Sequence, residues 1–261
     1  MNAQTSHLLR IALLGVSALS PHAFGSGFQL QNRSAIGLGR AFSGGSSVAD
    51  DASVIASNPA AMALLEGEWN YSAGLTYINP NADATLFPTF TGGNVGPATT
   101  DDDIAESAVV PHLYLTKRLN EDIVVGIGAF SNYGLRTNYA PSTAALVSTD
   151  FSEITTININ PSISYRLSDR LTIGAGLDVT LAEGEITSLA PNAGAFPVDL
   201  FALDGDDTGF GFNLGILFEA SSSTRIGLHY RSGIQLDLEG SATLAPAFNS
   251  LVLDGVNAQR A

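Results

Sequence analysis

Apolar and polar residues alternate through most of the chain beyond residue 67. The clearest run covers residues 171–181, where Leu, Ile, Ala and Val alternate with Thr, Gly and Asp. A repeat of two residues puts successive side chains on opposite faces of a β-strand. The repeat recurs in seven segments and therefore predicts an all-β protein. These predicted strands cover residues 69–77, 111–118, 123–130, 156–167, 171–181, 209–219 and 225–239.

The connections between the predicted strands alternate in length. The short turns are residues 120–122, 168–170 and 221–224, and the long loops are residues 80–107, 132–151 and 188–208. Tilted strands of about 9–11 residues cross a bilayer, and outer-membrane barrels have short turns on one side and long loops on the other. A soluble β-sandwich also alternates, but nothing sorts its loops by length. The sequence therefore favours an antiparallel transmembrane β-barrel.

The first 25 residues have the features of a secretory signal peptide. His7 and Arg10 precede an apolar stretch at residues 11–19, and small residues follow at residues 23–25. This stretch is shorter than the ~18 residues that a membrane-spanning helix needs. We therefore predict that residues 1–25 are removed and that the mature protein leaves the cytoplasm.

Residues 26–66 show no strand alternation and are predicted to form a separate domain ahead of the barrel at residues 67–261. Residues 47–51, which end in Asp50 and Asp51, and Asn58 have the side chains that cap helix N-termini. Pro59 suits the first turn of a helix. The pattern predicts short helices. On the residues alone, this domain is either the N-terminal arm of an enzyme or a plug in the barrel lumen.

Composition narrows the functional classes. The chain has 11 Lys and Arg against 25 Asp and Glu, a net charge of −14, and only 14% charged residues. An acidic surface repels phosphate backbones, so nucleic acid is not an expected partner. The chain contains no Cys, which excludes disulfides and thiolate metal sites. No nucleophile motif or phosphate loop is present, so we expect no enzyme, no cofactor and no metal site.

Two charged regions leave alternatives open. The acidic residues at 101–103 and 204–207 lie in long loops, where they are solvated, bind Ca²⁺, or share divalent ions with lipopolysaccharide. A second set lies on one face of the last predicted strand. It comprises Arg225, His229, Arg231, Asp237 and Glu239. Such a row forms mutual ion pairs in a wet lumen or holds a carboxylate head group, for which Arg231 is the candidate.

Several motifs, four in the N-terminal domain and one at the end of the third predicted strand, occur together and in a fixed order. They are GFQL at residues 27–30, GLGRA at 37–41, VADDA at 48–52, NPA at 58–60 and FSNYGL at 130–135. In these motifs the chain resembles the N-terminal portion of the long-chain fatty acid transporter (FadL-type) family of outer-membrane proteins. The resemblance implies a fourteen-stranded barrel plugged by an N-terminal hatch. It also implies uptake of long-chain fatty acids, or of aromatic hydrocarbons, across the outer membrane.

The family mechanism assigns roles to two groups of residues. Ligand is captured at the outer loops, enters an apolar pocket, and leaves sideways at a kink in strand 3 once the hatch moves. The implied hatch and gating residues are Gly27, Phe28, Asp50, Asp51, Asn58, Pro59 and Ala60. The implied lateral opening involves Gly126, Gly128, Phe130, Asn132 and Gly134. The alternative is a surface adhesin or receptor barrel that transports nothing.

The chain departs from the family in strand number. Seven predicted strands are half of the family barrel, and an open sheet would expose unpaired backbone groups to lipid at several kcal/mol each. We therefore expect a truncated chain whose barrel is completed by a missing C-terminal half. Pairing of two copies is the less favoured alternative. The expected partners are a hydrophobic ligand, outer-membrane lipid and lipopolysaccharide.

Overall fold

The computed structural model describes residues 29–87, 89–90, 93–94, 97–140, 149–190 and 198–244. The predicted signal peptide at residues 1–25, together with Gly27 and Phe28, lies outside these described residues. Three short helical elements come first, at residues 35–64. They are the α-helix α1 (Ala35–Gly39) and two 3-10 helices, η1 (Ala52–Ala56) and η2 (Pro59–Leu64).

Side chains cap each of these elements. Asp51 accepts a hydrogen bond from the Ser53 backbone at the start of η1, and Asn58 accepts one from Ala60 at the start of η2. Both caps were predicted from the sequence, and both are confirmed. Ser34 caps α1 in the same way. We refer to residues 29–66 as the hatch segment.

Thirteen strands follow within the described residues. They are β1 (Trp69–Ile78), β2 (Ala84–Leu86), β3 (Thr89–Phe90), β4 (Gly93–Asn94), β5 (Thr99–Asp101), β6 (Ala108–Arg118), β7 (Ile123–Phe130), β8 (Gly134–Asn138), β9 (Phe151–Ser168), β10 (Leu171–Ala190), β11 (Val198–Ser221), β12 (Thr224–Arg231) and β13 (Glu239–Leu244). Two small hairpins, β2–β5 and β3–β4, lie in the first predicted long loop.

The main sheet is antiparallel throughout, and its strand order is β1-β6-β7-β9-β10-β11-β12. β8 continues the row of β7 along β9, and β13 continues the row of β12 along β11. The sheet therefore has the seven rows that the sequence predicts. Among the described residues, β1 and β12 form its two edges. The short turns β6–β7, β9–β10 and β11–β12 agree with the prediction.

Two predicted boundaries need correction. The loop predicted at residues 188–208 is mostly a continuation of the β10–β11 hairpin, in which Thr187 pairs with Ala202. Bilayer thickness limits the hydrophobic band of a strand, but the backbone ladder continues into water beyond it. The last predicted strand is interrupted at residues 232–238, where Ser232 bonds to Phe212 and Ile234 covers glycines of β11.

The two faces of the sheet are the reverse of those in a soluble sandwich. Large apolar side chains cover the outer face, where Tyr71 is 80% exposed and Leu177 is 62% exposed. Small polar side chains cover the inner face, where Asn158, Asn160 and Asp178 are fully buried. Such an arrangement is stable only where the outer face meets an apolar solvent. No helix in the described ranges is long and apolar enough to cross a membrane.

An apolar core lies between the hatch segment and the inner wall. It joins buried residues of the hatch to inward side chains of the sheet. The largest of these are Ile55, Met62, Tyr114, Val124, Phe130 and Leu217. The hatch segment is thus packed against the inner wall of the sheet.

Candidate functional site

Asn58 connects three parts of the molecule through one fully buried amide. Its side-chain oxygen accepts from the Ala60 backbone at 3.0 Å, which starts η2. Its nitrogen donates to the Ser46 carbonyl at 2.6 Å and to the Ile216 carbonyl of β11 at 3.1 Å. A buried amide with all of these bonds made fixes the hatch segment on the wall, because breaking them leaves unpaired polar groups.

Glycines of the wall make room for this contact. A Cβ atom on Gly174 would overlap the Pro59–Ala60 backbone, and one on Gly215 would overlap the Asn58 side chain. The Ser164 hydroxyl also donates to the Ala60 carbonyl at 3.1 Å. The Asn-Pro-Ala motif therefore lies directly on the inner faces of β9, β10 and β11.

The two acidic residues of the hatch have different contacts. The Asp51 carboxylate accepts from the Ser72 hydroxyl of β1 at 2.9 Å, in addition to capping η1. Asp50 forms an ion pair with Arg40 at 2.8 Å, within the hatch segment itself. Asp51 therefore joins the hatch to the wall, whereas Asp50 stabilises the hatch internally.

Arg231 lies in a buried polar cluster on the inner face. It pairs with the Asp178 carboxylate and donates to the Ala56 carbonyl of the hatch at 3.3 Å. Asp178 also accepts from Asn158 at 2.7 Å and from Asn160 at 3.2 Å. The head-group candidate Arg231 is therefore already engaged by a carboxylate of the protein, which lies on β10 and is not a member of the predicted row.

A second guanidinium, Arg33, joins this cluster from the hatch segment. Arg33 donates to the same Ala56 carbonyl at 3.2 Å, and both guanidinium carbons lie over the Phe130 ring, at 6.0 Å for Arg33 and 5.4 Å for Arg231. Burial lowers the pKa of Arg33, and the charge of Arg231 lowers this pKa further. The Nε atoms of both arginines are buried without a hydrogen-bond partner in the described structure. We refer to Arg33, Arg231, Asp178 and Phe130 as the arginine cluster.

The other members of the predicted inward row are scattered. Arg225 pairs with Glu219 at 3.3 Å on an exposed edge. His229 lines a cavity of about 210 Å³ against the hatch segment. Asp237 lies within the interruption at residues 232–238 and Glu239 begins β13 after it, so they do not continue the row. The interruption of the strand thus separates side chains that a continuous strand would have aligned.

The acidic loop residues contact the protein itself. Asp101 accepts from the Ala140 backbone at 2.6 Å, and Asp204 accepts from the Ser241 hydroxyl at 2.6 Å. No group of three His, Cys, Asp or Glu side chains in the described ranges is arranged to hold a metal ion.

The wall is interrupted between β7 and β8. Phe130 pairs with Asn158 and Gly134 pairs with Thr155, so three residues of one strand face two of its neighbour. This is a β-bulge, which bends the strand. β6 pairs with β7 as far as Leu113 opposite Ala129, and β8 pairs with β9 and meets the chain before β6 at the Ala105–Thr137 bridge. Along residues 108–112, β6 therefore has no ladder partner on this side in the described structure.

The start of the hatch segment lies against this break. The Leu30 backbone donates to the Asn132 carbonyl at 2.7 Å, and Gln29 forms a β-bridge with Tyr133. Phe130 and Asn132 are both buried there. The Asn132 amide has no hydrogen-bond partner among the described residues. A short piece of hatch backbone therefore occupies the edge that β7 and β8 leave open.

Gly126 and Gly128 lie away from the break. Each pairs with β6 on one side and with β9 on the other. Gly126 faces Ile55 and Met62 of the hatch, and Gly128 faces the Tyr114 and Phe130 rings. The break in the ladder lies at residues 131–133, within the range Gly126 to Gly134 but not at these two glycines. Their absent side chains make space for the packed core instead.

These features define the class of the protein. A sheet that is apolar outside and polar inside, with a short helical segment packed on its inner face, has the features of the wall of an outer-membrane β-barrel. Residues 16–259 match the family described as "Outer membrane protein transport protein (OMPP1/FadL/TodX)". The chain belongs to this family, whose members are transport proteins rather than enzymes.

Relatives and solved structures agree with this assignment. A long-chain fatty acid transport protein of Escherichia coli O6:H1 is 32% identical over 275 residues, which cover 97% of this chain and 60% of the relative. A Pseudomonas aeruginosa FadL homologue has a similar fold, with a TM-score of 0.67 at 22% identity over 90% of this chain and 59% of the other. The P. putida toluene transporter TodX has a TM-score of 0.59 at 21% identity, over 76% and 55%. The chain spans about 60% of the length of the fatty acid relative.

Proposed function

We propose that this protein takes up hydrophobic compounds across the outer membrane, and that its ligands are long-chain fatty acids. The related Escherichia coli protein is named a long-chain fatty acid transport protein. The arginine cluster supports a ligand that carries a carboxylate. It contains two guanidinium groups and one carboxylate among the described residues. An anionic head group would offset the unmatched positive charge, whereas a neutral aromatic hydrocarbon would not.

The transport path runs in four steps. The outer loops capture the ligand, its tail enters the space beside the hatch segment, the hatch moves, and the ligand leaves sideways into the membrane. Lateral exit keeps the tail out of water, which matters because each buried CH₂ is worth ~0.8 kcal/mol. A straight path down the lumen would have to displace the packed core around Ile55 and Met62.

The break between β7 and β8 is the observation that supports this path most directly. It leaves residues 108–112 of β6 without a ladder on this side, between the Leu113–Ala129 pair and the Ala105–Thr137 bridge. Gln29 and Leu30 of the hatch segment bond to Tyr133 and Asn132 on the other side of the break. We therefore assign the lateral opening to Phe130, Asn132 and Gly134, with the hatch segment as its gate. A movement of two hatch residues would uncover it without unfolding the wall.

Hatch movement also has to release the arginine cluster. The Ala56 carbonyl of η1 accepts from both Arg33 and Arg231. When η1 shifts, both guanidinium groups lose this acceptor and become available to a carboxylate. The ligand head group and hatch movement are thereby coupled through one backbone oxygen.

Uptake of labelled oleate by cells that express the complete protein tests the proposal. We expect uptake above an empty-vector strain, and slower uptake with Asn58→Ala, which removes the amide that fixes the hatch. Labelled toluene should enter both strains equally. Equal oleate uptake with and without the protein would overturn the proposal. Uptake of toluene but not oleate would favour the aromatic-hydrocarbon alternative.

A further inference from the structure

We infer that Pro111 and Thr156 are positioning residues that fix the site and width of the break between β7 and β8. The inference rests on the proposed function only in treating this break as the ligand exit. Neither residue lies in the break itself. Pro111 is on β6 and Thr156 is on β9, the strands on either side of it.

The backbone hydrogen bonds of β6 show which neighbouring strand the backbone nitrogen of Pro111 is directed toward. In an antiparallel strand, successive residues direct their backbone groups to opposite neighbours. The Arg118 N–H donates to Glu68, next to β1, at 2.7 Å, and the Leu119 N–H donates toward β7, to Ile123, at 2.9 Å. Odd-numbered residues of β6 therefore face β7. Pro111 is among them, so its backbone nitrogen faces the break.

The register places Pro111 where the ladder stops. Leu113 opposite Ala129 is the last pair between β6 and β7. Continued by two residues, the same register would bring Pro111 opposite Ser131, the first residue after β7. Proline has no N–H to donate to the Ser131 carbonyl. Pairing therefore fails at the one position where β6 cannot supply a donor.

Thr156 holds the displaced backbone from the other side. The Tyr133 N–H donates to the Thr156 hydroxyl at 3.2 Å, and this hydroxyl donates to the Tyr133 carbonyl at 2.7 Å. One buried side chain thus replaces both ladder bonds of a residue that has left the ladder. Without it, Tyr133 would carry an unpaired backbone donor and acceptor in a partly buried place.

The two residues act on opposite sides of the break. Pro111 prevents β6 from pairing with residue 131, and Thr156 holds residue 133 at a fixed distance from β9. The opening is therefore part of the wall and does not need a ligand to create it. Hatch residues Gln29 and Leu30 only cover it.

Pro111→Ala restores the missing donor and tests the first half of the inference. The N–H that alanine supplies at position 111 would donate to the Ser131 carbonyl and close the pair, and the Ser131 N–H would then donate to the carbonyl of residue 111. In the complete protein, reconstituted in lipid, we therefore expect the Ser131 amide to exchange with deuterium about two- to tenfold more slowly, the range that one net hydrogen bond gives. Oleate uptake by cells should fall by a similar factor, whereas oleate affinity of the purified protein should not change. Val109→Ala is the matched control, since Val109 is exposed on the same edge and already has an N–H.

The exchange and uptake results for Pro111→Ala test the role of Pro111 and lateral exit separately. Unchanged exchange at Ser131 would overturn the role of Pro111. Slower exchange with unchanged uptake would uphold that role and reject lateral exit, which is part of the proposed function. Should Pro111→Ala fail to reach the membrane, the Thr156 variants carry the test.

Thr156→Val removes the hydroxyl but keeps the shape of the side chain, and Thr156→Ser keeps the hydroxyl. We expect Tyr133 amide exchange to become about two- to tenfold faster with valine and to stay normal with serine. Oleate uptake should fall with valine and be rescued by serine. Equal exchange in the two variants would show that the hydroxyl does not hold the break.

Discussion

Asp178 is the residue on which the buried polar interior depends most. Its carboxylate accepts from Arg231, Asn158 and Asn160, and it is fully buried on the inner face of β10. Removing one partner of a buried ion pair costs more than the pair gains, because the other charge stays buried without compensation. Without the Asp178 carboxylate, the guanidinium groups of Arg33 and Arg231 would remain in the arginine cluster with no carboxylate beside them among the described residues.

We therefore expect Asp178→Asn to lower the free energy of unfolding by about 3–5 kcal/mol. Urea unfolding in lipid vesicles, followed by heat-modifiable mobility in gels, measures this change. Arg225→Gln is the matched control, because its pair with Glu219 is exposed and is worth only about 0–1 kcal/mol. Equal effects of the two variants would show that burial of the Asp178 pair is unimportant.

Arg33 is the arginine whose role the sequence gives least reason to expect. It lies outside the predicted strands and outside the family motifs, and only the fold brings it beside Arg231 and Phe130. Arg231 could be proposed from strand alternation because it lies on a strand. For Arg33, no periodic signal was available.

If the arginine cluster receives a carboxylate, Arg33→Gln should weaken oleate binding by about tenfold, the scale of one charge-assisted hydrogen bond. The affinity for oleyl alcohol, which has no charge, should stay the same. Titration of the purified protein with each ligand measures both values. Arg40→Gln serves as the control, since Arg40 is paired with Asp50. An equal loss of affinity for both ligands would contradict the head-group assignment.

At the scale of elements, close packing of the hatch backbone on the wall stabilises the hatch segment in addition to its hydrogen bonds. η2 packs on β9, β10 and β11 at places where the wall has glycine or serine. A methyl group on Gly174 has no space, because the Ala60 backbone occupies it. The docking of the hatch is therefore sensitive to a single small substitution in the wall.

We expect Gly174→Ala to displace η2 and to open a leak through the lumen. Cells that express this variant should become more sensitive to vancomycin, a large polar antibiotic that the outer membrane excludes. Gly233→Ala is the control, since a Cβ there meets nothing within 4 Å. Unchanged sensitivity in the Gly174 variant would show that the hatch does not seal the lumen at this contact.

The elements also show what the sequence can and cannot predict. A two-residue repeat is a local property, so it locates the rows of the sheet and the faces of residues such as Leu177 and Asp178. The caps at Asp51 and Asn58 are local too. The ends of β10 and β11, the interruption after Arg231 and the break at residues 131–133 depend on neighbouring strands. Pro111 marks the break only once its register with Ser131 is known.

At the scale of the whole molecule, the sheet has two edges in the described structure, at β1 and β12. An unpaired backbone group costs several kcal/mol in hydrocarbon. Both edges of the sheet must therefore be paired in the membrane. The fold agrees with that of a related structure over the part that this chain covers.

The central claim is that the apolar face of the sheet meets lipid and that the polar face meets the lumen. The chain has no cysteine, so single cysteines can be introduced along β10 and spin-labelled. Leu177 and Leu181 are exposed on the outer face, whereas Thr180 and Ala182 are buried on the inner face. In lipid, the two outer labels should be accessible to dissolved oxygen and shielded from a polar nickel chelate, and the two inner labels should show lower oxygen accessibility. Outer labels that are shielded from both, in a protein that is soluble without lipid, would contradict the account.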